Sequence, residues 1–61
     1  MAKYVCRFLN KANRIDDVEM INTSTDQLAE LQARKLFAKS EFPGVELFLD
    51  GRLIFRGDKA A

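Results

Sequence analysis

Apolar and polar positions alternate from Tyr4 to Leu9, with Tyr4, Cys6 and Phe8 on one side and Val5, Arg7 and Leu9 on the other. A two-residue period marks a half-buried strand, and it predicts the Tyr4 set as the core face. The polar run Asn10-Lys11-Ala12-Asn13 follows, and Asn13 suits the left-handed conformation that ends many hairpin loops. A second strand is predicted from about Ile15 to Asn22. Ile15 and Ile21 are odd positions and Val18 and Met20 are even, so one parity cannot bury all four; a bulge between Ile15 and Val18 would reconcile them.

The period then changes. Thr23-Ser24-Thr25-Asp26-Gln27 reads as a helix start, with Ser24 and Gln27 spaced as a capping box and Thr25 or Asp26 as competing caps. From there to about Lys39, a 100° step gathers Ala29, Ala33, Leu36 and Ser40 on one face, flanked by Gln32 and Phe37. Leu31 falls nearly opposite and Leu28 at the margin. Glu30 and Arg34 form a favourable i,i+4 pair, Lys35 and Lys39 suit the negative end of the helix dipole, and Pro43 ends the helix before Phe42.

Asp50-Gly51 is the clearest hairpin signal in the chain. Two registers compete. A two-residue loop pairs Leu49 with Arg52 and Leu47 with Ile54, mixing apolar residues onto both faces. A three-residue loop, Leu49-Asp50-Gly51, pairs Phe48 with Arg52, Leu47 with Leu53 and Val45 with Phe55, and collects Val45, Leu47, Leu53 and Phe55 on one apolar face. The second register is expected, with Glu46, Phe48, Arg52, Ile54 and Arg56 on the opposite face.

The order is therefore ββαββ: strands at about 3–9, 15–22, 45–49 and 52–56, and a helix at about 25–39. These elements predict one α+β domain over residues 1–61, a two-layer sandwich with a largely antiparallel four-stranded sheet and the helix packed on one face. One helix cannot cover both faces.

Composition narrows what such a domain could do. The 61 residues are 48% hydrophobic and 31% charged with a net charge of +1, a balance that buries a core and does not stay disordered. A core this small is only marginally stabilising, so a partner subunit would add to it. Ten basic and nine acidic residues are spread evenly, with neither a basic arm nor an acidic tail to attract nucleic acid or anionic lipid. No apolar run approaches the ~20 residues of a membrane span. The single Cys6 excludes an intrachain disulfide, and with no apolar leader at Met-Ala-Lys-Tyr the expected location is the cytoplasm.

Catalytic chemistry is sparse. There is no histidine or tryptophan, and no nucleophile–base pair or paired acid can be assembled, so neither enzyme activity nor a cofactor is expected. Cys6 alternates with Tyr4 and Phe8 and is read as buried. Asp16, Asp17 and Glu19 lie on a strand, where they blunt an edge and do not wrap a metal. Gly44, Gly51 and Gly57 are isolated and form no phosphate loop.

Several positions also follow a familiar pattern: Phe8-Leu9-Asn10, Arg14-Ile15, Ile21, Asp26, Ala29, Ala33, Leu36, and Val45-Glu46-Leu47-Phe48 followed by Gly51-Arg52. In these the chain resembles a family of short uncharacterised bacterial proteins, departing from it at Asn10 for Asp, Asn13 for Gly and Phe48 for Trp. The resemblance implies the same ββαββ order and carries no activity, since none is assigned to that family.

The remaining functional content is the open sheet face. Val5, Arg7, Leu9, Phe48, Arg52, Ile54 and Arg56 are the candidate interaction residues, and Leu31 is surplus apolar surface on the helix. Expected partners are a second copy or another protein, engaged without catalysis. The alternative is a nucleic-acid-binding module using Lys3, Arg7, Arg52 and Arg56 beside Phe48.

Overall fold

A computed structural model of the chain describes residues 1–59. The elements run β1 (Ala2–Leu9), β2 (Ile15–Thr23), α1 (Asp26–Lys39), β3 (Gly44–Leu49) and β4 (Arg52–Asp58). The four strands form one antiparallel sheet in the order β2-β1-β3-β4, giving a ββαββ α+β fold. The shortest Cα extent is 14 Å, which leaves room for one sheet and one helix and no third layer. Among the described residues, no helix is long and apolar enough to cross a membrane.

The alternation in β1 has the predicted sense: Tyr4, Cys6 and Phe8 are buried against Ile21 of β2, Val45 and Leu47 of β3, and the helix. The β1–β2 loop is held by Asn10, whose carboxamide oxygen accepts from the amides of Ala12 (2.9 Å) and Arg14 (3.1 Å), while Asn13 takes φ 65°. In β2, Phe8 pairs with Asp17 and Leu9 with Ile15, so Asp16 is the extra residue of a bulge inside the predicted interval. The bulge turns Ile15 to the same side as Val18 and Met20. Ile21 points the other way, into the core.

Of the competing helix caps, Thr25 is the one used: its hydroxyl accepts from the Leu28 amide at 3.1 Å. The helix differs from its sequence reading in its buried stripe, which is Ala29, Ala33 and Phe37, whereas Leu36 is 39% exposed. The two alanines bring the helix axis close to the sheet, and the i,i+4,i+8 line continuing from them reaches Phe37. At the other end of the helix, the Ser40 hydroxyl donates to the Phe37 carbonyl at 2.8 Å, and the Lys59 ammonium donates to the Ser40 carbonyl.

The β3–β4 hairpin also corrects the expected register. Asp50 (φ 51°) and Gly51 (φ 80°) are both left-handed and form a two-residue loop, with Leu49 opposite Arg52 and Phe48 opposite Leu53. Leu47 then faces Phe55, so Ile54 is extra and forms a second bulge. The bulge restores by a different route what the three-residue loop was expected to supply. Val45, Leu47 and Phe55 still share the helix side, but Leu53 is turned outward.

Tyr4 links the two layers. Its ring is buried and its hydroxyl donates to the Asp26 carboxylate in the first helical turn, while Arg52 lies 3.7 Å from the same carboxylate. The hydrogen bond to Asp26, then burial, then the Asp26 charge raise the Tyr4 pKa above its ordinary 10.0, against a smaller lowering by Arg52. A raised folded-state pKa gives stability that is complete below pH 10 and lost as pH rises through the shifted value. Tyr4 is the only tyrosine and there is no tryptophan, so tyrosinate absorbance reads it directly. Titration should show a midpoint above 10 in the folded protein, and Tyr4→Phe should lose stability at neutral pH with the difference from the parent shrinking above pH 10. A native midpoint at or below 10 would contradict the Tyr4–Asp26 bond.

Candidate interaction surface

The pairing of the strands fixes the side of the sheet that the helix leaves open. Val5 is paired with Met20 on β2 and Phe48 on β3, and Phe48 is paired with Leu53 on β4. Met20, Val5, Phe48 and Leu53 therefore form one apolar row that crosses all four strands. A second row, Val18, Arg7, Glu46 and Arg56, lies beside it, and a third begins with Ile15 and Leu9. Ile15, Val18, Met20 and Leu53 are each about half exposed, and Val5 and Phe48 are partly covered by their neighbours.

Five of the seven residues expected on this face from the sequence are there. Val5, Arg7, Phe48 and Arg56 are arranged around the two rows; Leu9 is also on this side but buried beside Gly44 at the loop end. Arg52 and Ile54 are not on it. Arg52 pairs with Leu49 and reaches the helix at Asp26; Ile54, the bulge residue, packs partly buried against the core. The two-residue turn moves Arg52 to the helix side, and the bulge moves Ile54. Met20, Val18, Ile15 and Leu53 take their place. Their signal in the sequence was the parity conflict in β2 and the unbroken run Leu53-Ile54-Phe55, each of which a bulge resolves.

The charges are few and placed. The Arg7 guanidinium lies over the Phe48 ring, 4.5 Å from its centroid, which covers the one aromatic of the face. Glu46 stands between Arg7 and Arg56 in the register, yet among the described residues neither Arg7 nor Glu46 is in an ion pair within 4 Å. No family model matches this chain, and no solved structure matches it.

Elsewhere the surface offers little chemistry. Open depressions flank the β1–β2 loop, lined on one side by Asn10, Lys11, Asn13, Arg56 and Asp58 and on the other by Asp16, Glu41 and Phe42. Neither brings a nucleophile to a base. Cys6 is buried, and burial, aided by the Glu19 carboxylate, pushes its thiol up to about 11. Among the described residues, no three Cys, Asp or Glu side chains converge as metal ligands.

Proposed function

We propose that this is a non-enzymatic protein that acts through self-association, with the outer sheet face as its interface. The observation that carries this reading is the Met20–Val5–Phe48–Leu53 row, which spans the full width of a sheet that its only helix covers on the other side. Apolar surface arranged continuously in this way is a contact surface; scattered apolar residues are ordinary.

The edges support a face contact over strand addition. β2 carries Asp16, Asp17 and Glu19, all exposed, so two β2 edges paired antiparallel would set carboxylates against carboxylates. β4 carries the Ile54 bulge, which twists an edge away from pairing. The exposed helix leucines are a smaller competing patch: Leu28 and Leu31 are neighbours one turn apart, while Leu36 lies about 140° from Leu31 at 100° per residue, so they make a pair and not a row across the molecule.

Size sets the strength. Four strands spaced by about 4.8 Å and about six residues long give a face of roughly 20 by 20 Å. That is a small interface, and a reversible dimer with a dissociation constant on the order of micromolar or weaker is expected. Binding of nucleic acid is the weaker reading, because Glu46 stands between Arg7 and Arg56, Phe48 is the one aromatic of the face, and Arg52 belongs to the helix side.

Sedimentation equilibrium from about 5 µM to 1 mM tests the proposal, a range chosen to bracket the affinity of a small interface. The parent protein should move from monomer toward dimer, and Leu53→Lys, which alters a half-exposed side chain and leaves the core untouched, should remain monomeric. A parent protein that is monomeric throughout, or a Leu53→Lys variant that associates as the parent does, counts against it.

A further inference from the structure

The outer face has a charge pattern that selects one way for two copies to meet. A face-to-face dimer needs a two-fold axis lying between the sheets, and each choice of axis sets different residues opposite one another. An axis across the strands through the Val5–Phe48 row would stack Phe48 on Phe48 but set Arg7 against Lys3. An axis across the strands through the next row would set Arg7 on Arg7 and Glu46 on Glu46. Both juxtapose like charges on removal of water, which is costly.

An axis parallel to the strands, midway between β1 and β3, behaves differently. It exchanges β1 with β3 and β2 with β4 of the other copy. Arg7 then faces Glu46 of the second copy, Val5 faces Phe48, and Met20 faces Leu53, and each of these pairs occurs twice. Val18 faces the stem of Arg56. Since β1 and β3 are the central strands, their residues lie nearest the axis and stay opposed when the twisted sheets pack at about 30° to each other.

We infer that two copies of this chain pack outer face on outer face about a two-fold axis parallel to β1 and β3, with Arg7 of each copy paired to Glu46 of the other. The inference rests on self-association through this face and adds its register. In the single chain the Arg7 guanidinium lies over Phe48 and is in no ion pair; in the dimer it turns from that ring to Glu46 of the other copy, and Val5 of that copy takes its place on Phe48. Glu46 is held in the middle of the sheet with Arg7 and Arg56 on either side.

A charge exchange between two variants reads the register directly. Arg7→Glu alone sets its new carboxylate against Glu46 of the other copy, and Glu46→Arg alone sets its new guanidinium against Arg7. Each variant by itself should therefore dimerise at least tenfold more weakly than the parent. Mixed in equal amounts, the two restore opposite charges across the interface, and the mixture should form a heterodimer within a few-fold of the parent affinity. Circular dichroism establishes that each variant is folded, and Arg7→Gln with Glu46→Gln replaces any that is not: each neutral variant alone should weaken association, and their mixture should recover part of it, because the heterodimer regains one of the two Arg7–Glu46 pairs. Full-strength association by either charge-reversed variant alone, or no recovery in the mixture, overturns the register. If Leu53→Lys still abolishes association in that case, self-association through the face stands and only the register fails; a parent protein that never associates removes both.

Discussion

Phe37→Ala should leave the protein mostly unfolded at 25 °C, with the loss of the circular dichroism signal at 222 nm as the readout. Only three residues of α1 are buried, and two of them are alanines, so Phe37 is the one large side chain by which the helix is anchored. Its ring lies against the backbone of β4 near Gly57 and is covered by the Lys59 ammonium 4.8 Å from the centroid. A 14-residue helix has little stability without such an anchor. Truncating a buried phenylalanine costs about 3–5 kcal/mol, and a single core of this size supplies only about 3–5 kcal/mol in total. Leu36→Ala is the matched control and should cost less, about 1 kcal/mol, because that side chain is already more than a third exposed. A folded Phe37→Ala variant, or a larger loss at Leu36, would contradict the assignment of the buried stripe.

Gly57→Ala is expected to destabilise by about 1–3 kcal/mol in urea denaturation, as overpacking in a filled core does. A methyl group there would lie 2.9 Å from Val45 Cγ1, 3.0 Å from Phe55 Cζ and 3.3 Å from Phe37 Cε2. Val45 is fully buried between neighbouring strands and cannot retreat, and Phe37 is the helix anchor. The gain from replacing a strand glycine, about 0.5–1 kcal/mol, is too small to offset this. Gly44 provides the contrast in the paired strand. A methyl at Gly44 would meet Leu9 at 3.4 and 3.5 Å, ordinary contact distances, so Gly44→Ala should be neutral or slightly stabilising. Equal stabilities for the parent and Gly57→Ala would show that the β4 end is not packed as described.

The parts of this structure that local chemistry determines were legible in the sequence. The strict alternation of β1 has one solution once a core exists, and Ala29 and Ala33 mark the side of the helix that approaches the sheet. The left-handed positions Asn13 and Gly51 were likewise readable, because few residues tolerate them. What was not legible is wherever two patterns fit the same letters. A 100° step leaves Leu36 and Phe37 on either flank of the alanine stripe, and only the sheet beneath decides which of them is buried. Asp50-Gly51 suits a two-residue loop, but that loop looked wrong without a bulge at Ile54 to restore the pairing of Leu47 with Phe55. The candidate surface inherited that ambiguity. Val5, Arg7, Phe48 and Arg56 depend on regular parity and were placed correctly, whereas Arg52 and Ile54 sit next to the turn and the bulge and changed sides.

The same two bulges shape the outer face. Asp16 brings Ile15 into line with Val18 and Met20, and Ile54 returns Phe55 to the helix side after the two-residue turn has set Leu53 beside Phe48, so the apolar row and the core are both kept. The core and the open face are thus products of one register.

The most direct test of the open face as the contact surface is the change in backbone amide chemical shifts with protein concentration, followed residue by residue. Shifts that move together at Val5, Arg7, Met20, Glu46, Phe48 and Leu53 are predicted, with Leu28, Leu31 and Leu36 unmoved. Movement confined to the helix leucines, or no movement up to millimolar concentration, would contradict it.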